Sequence, residues 1–268
     1  MRNPLNGVRC VFELALIMES CTDKDRIMVE IILNSACRLN VQTVGDEKTP
    51  VITIDDPILS TDELVRYASQ SAEFSSKNQL AYPGIRAALP AEYAAVLKPE
   101  LVAMISDLYK IPRTYENLLI HQLFSLVTQQ PDDLEILQRL PHFDDRSPDY
   151  FATVHYLNSG DHAGTGFFRH RPTSYERITE DRYQTYIQAA STHMETNGLP
   201  AEKYINASDD HYELIGEVEY RPNRMVIYPG NLLHSGLIQP DRDINDDPAS
   251  GRLTANLFLY FGERPRDT

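Results

Sequence analysis

Two short stretches hold the residues that could do chemistry. In Pro141-His142-Phe143-Asp144 an imidazole and a carboxylate stand two residues apart. In an extended segment both side chains leave the same face, their stems roughly 6–7 Å apart, a span that one metal ion can bridge. A second imidazole, His234, arrives far downstream in Tyr228-Pro229-Gly230-Asn231-Leu232-Leu233-His234, where a strand-like run ends in a Pro-Gly turn. Two imidazoles and one carboxylate that leave other coordination positions open suit non-haem Fe(II). An isolated H-x-D pair is common, and affinity alone would favour copper or nickel, so the reading depends on what accompanies it.

The accompanying residues point the same way. In Gly251-Arg252-Leu253-Thr254-Ala255-Asn256-Leu257-Phe258-Leu259-Tyr260, alternation places Arg252, Thr254 and Asn256 on one face of a strand. A planar guanidinium beside a hydroxyl suits bidentate capture of a buried carboxylate.

Taken in order, H-x-D, Ala152-Thr153-Val154-His155-Tyr156-Leu157-Asn158, Ala163-Gly164-Thr165, the Tyr-Pro-Gly-Asn run into His234, and R-x-T at Arg252–Thr254 resemble the Fe(II)/2-oxoglutarate-dependent dioxygenases. The nearest branch is the prolyl-4-hydroxylase-like one, and the resemblance covers residues 117–264. It implies a double-stranded β-helix, or jelly roll, with Fe(II) held by His142, Asp144 and His234. It also implies 2-oxoglutarate held through its distal carboxylate by Arg252, Thr254 and Tyr156, and O2 as the oxidant. Succinate and CO2 would be released as a small-molecule or amino-acid/peptide substrate is hydroxylated. Asp144 is retained, whereas related halogenases replace that carboxylate. Two features depart from the pattern. Arg252 follows His234 by 252 − 234 = 18 positions, with Gln239–Ser250 reading as an insertion. Arg242 is nearer, but it sits in an Asp-rich loop and lacks the following Thr, so Arg252 is preferred and Arg242 is the alternative. Two rival readings share the scaffold: a cupin-like metal-dependent hydrolase or isomerase, and a non-enzymatic jelly-roll binding protein.

Several other residues invite a bland and a functional reading. His162 and His170 could be imagined as a second metal site, but hydrogen bonding is the simpler role. Arg169 and Arg171 could grip an acidic substrate. His155 alternates with Tyr156 and should face away from the site. Phe167 and Phe168 read as core or pocket wall. Asp145 orients a ligand or caps a turn, and Gln138 and Arg139 are candidates for the pocket mouth.

The elements that must position these residues make an α+β chain: a jelly-roll core with supporting N-terminal helices. Residues 1–37 read as an amphipathic, helical extension of uncertain order. Residues 38–268 form a single domain, divided into mixed α/β support (38–116) and jelly-roll core (117–264). Val41–Val44 and Val51–Ile54 are two strands around a Gly-Asp turn, and Ser60 or Thr61 caps a following helix. Tyr82-Pro83-Gly84 is a turn. One helix follows Pro90 and a second follows Pro99. Leu118–Thr128 is strand or helix by periodicity, with strand preferred. Later strands are expected at Phe151–Leu157, Tyr212–Tyr220, Arg224–Tyr228 and Leu253–Phe261, with a helical pattern over Tyr175–Asn197 and a loop over Leu199–Asp210.

Composition bounds the rest. With 268 residues, 42% of them hydrophobic, the chain can bury a sizeable core, and a net charge of −14 argues against a general nucleic-acid binder. Cys10, Cys21 and Cys37 fit neither a disulfide framework nor a zinc site, which points to a reducing, cytoplasmic setting. No apolar run of membrane-spanning length and no secretory leader pattern is visible. Oligomeric state is open, a homodimer included.

Overall fold

The computed structural model describes residues 28–76 and 82–263. Strands run β1 (Arg38–Val44), β2 (Thr49–Asp55), β3 (Gly84–Ala88), β4 (Tyr115–Val127), β5 (Tyr150–Tyr156), β6 (Thr165–His170), β7 (Tyr212–Val218), β8 (Arg224–Pro229), β9 (His234–Gly236) and β10 (Thr254–Glu263). The α-helices are α1 (Asp62–Gln70), α2 (Ala91–Tyr109), α3 (Glu180–Asn197) and the short α4 (Pro240–Asp243). Seven strands form one sheet in the order β1-β2-β8-β5-β10-β4-β3, and three form a second in the order β7-β6-β9. Every pairing is antiparallel. The result is a mixed α/β fold around a jelly-roll-like antiparallel sandwich.

Alternation along the central strand β10 divides the molecule into layers. Ala255, Leu257 and Leu259 are fully buried on the outer face, in one cluster with Leu64 of α1 and Tyr93, Leu97, Leu101 and Ile105 of α2. The opposite face packs Ala152, Tyr156, Val226 and Tyr228 against Phe167 and Val218 of the small sheet. Burying each such large apolar side chain contributes about 1.5–3 kcal/mol, so the helices fix the outer face of the sheet firmly. The inner face is left to the site.

The β1–β2 hairpin, α1 and the preference for a strand at Leu118–Thr128 agree with the sequence pattern. Three expectations need correction. Pro99 does not divide two helices: α2 runs through it. A proline in a helix forfeits one backbone bond, and here a buried stripe spaced four residues apart (Tyr93, Leu97, Leu101, Ile105) holds the helix together on both sides of it. The helical pattern over Tyr175–Asn197 begins only at Glu180, because Tyr175 and Arg177 are drawn into bridges with His170 and Leu232. Residues 28–37 are not helical. Asn34 Oδ1 accepts the Ala36 N–H at 3.0 Å and Leu33 bridges Ile58, local bonding that competes with a helix. The earlier part of the expected N-terminal helix, with Cys10 and Cys21, lies outside the described residues, and Cys37 is exposed. Among the described residues no helix is long and apolar enough to cross a membrane.

Candidate metal centre

His142 lies in an extended segment, not a regular strand, and forms a single antiparallel bridge with His234. The two residues exchange both backbone bonds, each N–H donating to the other's carbonyl at 2.9 Å. That bridge sets their rings side by side, with centroids 4.3 Å apart. Asp144 is fixed next door by its N–H, which donates to the Gly230 carbonyl at 2.7 Å. Gly230 is needed there for space: a Cβ on it would lie 2.5 Å from Tyr150 Cδ1 and 3.3 Å from Asp144 Cβ. The Tyr-Pro-Gly turn therefore seats the carboxylate as well as delivering His234.

The three side chains converge. One donor atom from each of His142, Asp144 and His234 lies within 4.8 Å of the others. His142 Nε2 is 3.8 Å from Asp144 Oδ1, and His234 Nε2 is 3.6 Å from Asp144 Oδ2. Those separations are too long for hydrogen bonds, but suit groups that face a common centre with metal–ligand bonds of about 2.1 Å. Two further observations favour a cation. Asp144 Oδ2 is buried with no hydrogen-bond partner. His234 Nδ1 lies 2.7 Å from the Leu232 carbonyl, so it carries the proton and leaves Nε2 a free lone pair toward Asp144. The residues present fit a divalent metal.

Burial raises the Asp144 pKa above the ordinary carboxylate value, opposed by His234 and Arg86. Desolvation by the surrounding groups, followed by the nearby His234 and Arg86, lowers the His142 pKa below the ordinary imidazole value. A neutral imidazole is the form that ligates metal. The His142 side chain is 55% exposed against 5% for His234, so the centre opens to solvent on the His142 side.

Arg252 is buried and donates from Nε to the Ala163 carbonyl at 2.7 Å and from Nη2 to the Gly164 carbonyl at 3.1 Å. Its Cζ sits 5.5 Å from the centroid of the Tyr156 ring, and the Tyr156 hydroxyl is 2.7 Å from Thr165 Oγ1. Thr254 Oγ1 accepts a hydrogen bond from Asn256 Nδ2 at 3.1 Å, and Asn256 Nδ2 also reaches Ser125 Oγ at 3.0 Å. The structure thus gathers Arg252, Tyr156 and Thr254 on the inner face. Arg242 instead pairs at the surface with Asp161 at 2.5 Å, away from this group.

The remaining candidates take structural parts. His162 Nδ1 is 3.1 Å from Asp243 Oδ1, and His170 Nδ1 is 2.9 Å from Thr173 Oγ1. Arg169 is occupied by Glu176, Glu213 and Asp46, and Arg171 donates to the Asp209 carbonyl. His155 faces away from the centre and bonds Tyr93 and Asn223. Phe167 and Phe168 are core, and Asp145 caps the Ser147 N–H. Gln138 bonds Gln129, while Arg139 bonds the Leu134 carbonyl. The sequence pattern did not single out Arg86 or Tyr150, which also border the centre, or Tyr82, which stacks on Arg86. Arg86 sits on β3, a five-residue edge strand too short to show a period.

The fold and the site thus define an antiparallel sandwich holding a His/Asp/His cluster suited to a metal. The chain belongs to the family of unknown function DUF6445, whose model matches residues 35–259. No curated protein matches it. Among solved structures it is similar to Escherichia coli ycfD, at 12% identity and a TM-score of 0.31, over 85% of this chain and 55% of that one. It is also similar to an N-substituted L-amino acid dioxygenase from Burkholderia ambifaria AMMD, at 12% identity and a TM-score of 0.32, over 83% of this chain and 85% of that one. The chain spans 55% of the length of ycfD.

Proposed function

We propose that this protein is a non-haem Fe(II)/2-oxoglutarate-dependent oxygenase of the hydroxylase type, acting in the cytoplasm on a small-molecule or amino-acid/peptide substrate. The observation that carries the reading is the convergence of His142, Asp144 and His234 around an unpartnered buried carboxylate oxygen. The layer order supports a double-stranded β-helix: β8-β5-β10-β4 faces β7-β6-β9, and the His142 bridge continues the small sheet beyond β9.

In this reading His142 Nε2, His234 Nε2 and Asp144 hold Fe(II), which when bound supplies O2 activation coupled to decarboxylation of 2-oxoglutarate. The chain's own residues do the rest. The Leu232 carbonyl fixes the His234 tautomer, and the His142–His234 bridge fixes the spacing of the rings. Arg252 is buried, its hydrogen bonds go to backbone carbonyls, and among the described residues no salt bridge holds its guanidinium. The fork can therefore meet the distal carboxylate of the keto acid beside Tyr156 and Thr254, with the buried Asp243 as a more distant counter-charge. Tyr228, packed 4.6 Å from the His234 ring, helps to exclude water from the inner side.

Anaerobic addition of Fe(II) and then 2-oxoglutarate to the purified protein tests this directly. The expected result is a weak visible charge-transfer band that Asp144→Ala abolishes, followed by succinate release on admitting air. Metal binding without any band or succinate would favour a metal-dependent hydrolase or isomerase on the same scaffold. Binding of no metal would leave a non-enzymatic binding protein.

A further inference from the structure

The inner face carries a second guanidinium that the keto acid does not require. Arg86 pairs with Ser125, Ser125 with Thr254, and Thr254 with Tyr156, so these four residues form one row across β3, β4, β10 and β5. Directly paired residues point to the same side of a sheet, which puts Arg86 on the face that holds Thr254 and Tyr156. Arg252 stands at the Tyr156 end of the row and Arg86 at the other.

The two arginines differ in their partners. Arg252 is braced by the Ala163 and Gly164 carbonyls. Arg86 Nε is shielded from solvent and has no hydrogen-bond partner, and among the described residues Arg86 forms no ion pair. The ring of Tyr82 covers its guanidinium at 4.3 Å, which orients the fork without neutralising it. Arg86 lies within electrostatic reach of the Asp144 carboxylate. Once Asp144 is committed to a metal ion, Arg86 has no ion-pair partner among the described residues, a costly state for a guanidinium whose Nε is withdrawn from water.

We propose that Arg86 anchors a carboxylate of the molecule that is oxidised at the His142–Asp144–His234 centre. The assignment rests on the oxygenase reading, with Arg252 serving the co-substrate and Arg86 the substrate. A guanidinium presenting its Nε edge takes a carboxylate in bidentate fashion, which fixes orientation as well as position. A substrate held there lies on the inner face of the large sheet, toward which His234 of the small sheet packs, with its carboxylate gripped and the rest of it directed toward the metal ligands.

The test is an NMR titration of the protein loaded with Zn(II), a diamagnetic substitute, and saturated with 2-oxoglutarate. Acetate is the probe and acetamide its neutral control. The Arg86 Nε–H resonance is assigned by its loss in Arg86→Lys. The expected result is a saturable shift of that resonance with acetate and none with acetamide. In Arg86→Gln, the acetate-induced shifts of the Tyr82 and Ser125 amides should need about ten- to a hundredfold more acetate, the size of one charge-assisted hydrogen bond. Arg86→Lys keeps the charge and should retain part of the response, and a dispersed amide spectrum in both variants guards against misfolding. An Arg86 signal indifferent to acetate overturns the proposal. So does an Arg86 signal that moves with 2-oxoglutarate alone, since the residue would then serve the keto acid. Failure of the oxygenase reading looks different: Zn(II) leaves the His142 and His234 rings unperturbed, and the proposal falls with it.

Discussion

His142 and His234, 234 − 142 = 92 positions apart, exchange both of their backbone hydrogen bonds across one isolated bridge, and this places their rings 4.3 Å apart. Ring spacing at the centre is therefore set by main chain, which is stiffer than side-chain packing. The third ligand depends on a single glycine.

Gly230→Val should test that dependence. A Cβ at this position would stand 2.5 Å from the Tyr150 ring and 3.3 Å from Asp144 Cβ, so one of them must move. The expected outcome is a ten- to hundredfold loss of metal affinity, the usual effect of disturbing what supports a ligand. Calorimetric titration of Fe(II) under argon measures it, with the far-ultraviolet spectrum as a check on folding. Unchanged affinity would mean that Asp144 is not positioned through this turn.

Arg252→Gln should raise the 2-oxoglutarate concentration needed for half-maximal succinate release at least tenfold, about 1.4 kcal/mol or more, while sparing metal binding. Arg242→Gln should leave that concentration unchanged, because Arg242 is engaged with Asp161 at the surface. The reverse pattern would move the co-substrate to the Arg242 side.

Stability should fall in mild acid. Burial holds the His155 imidazole down at about 4, below its ordinary value of 6.5. Between those values the unfolded chain binds the proton and the folded chain does not, so stability is lost as pH drops from 6.5 toward 4 and levels off below. From pH 7 to pH 5 this residue should account for about 2 kcal/mol of the loss. His170, also held at about 4, adds to it with the same sign. Urea unfolding of His155→Phe at the two pH values should show a shallower pH dependence. It should also show lower stability at pH 7, because Tyr93 and Asn223 lose their partner. An unchanged pH dependence would place the titration elsewhere.

What the sequence disclosed, and what it withheld, follows from locality. His142-x-Asp144, the Tyr-Pro-Gly-Asn run into His234 and the alternation of Thr254 and Asn256 are legible because ligand type, turn chemistry and strand period are written within a few residues. Val41–Val44 and Val51–Ile54 are legible for the same reason. The strands β3 and β6 are short and contain glycine, so neither shows a period, and each is defined by the strands it pairs with. Pro99 reads as a boundary because a single residue says nothing of the buried stripe that carries α2 through it. The significance of Arg86 lies in cross-strand register, which joins it to Ser125, Thr254 and Tyr156 and has no trace in the local sequence.

The central claim is that His142, Asp144 and His234 share one ion. Anaerobic titration of Fe(II) into the wild-type protein, Asp144→Ala and His234→Ala tests it most directly. The account predicts one equivalent bound to the wild type and loss of that site in both variants, with the fold retained. Wild-type protein that takes up no metal, or an Asp144→Ala variant that binds it unchanged, would contradict the account.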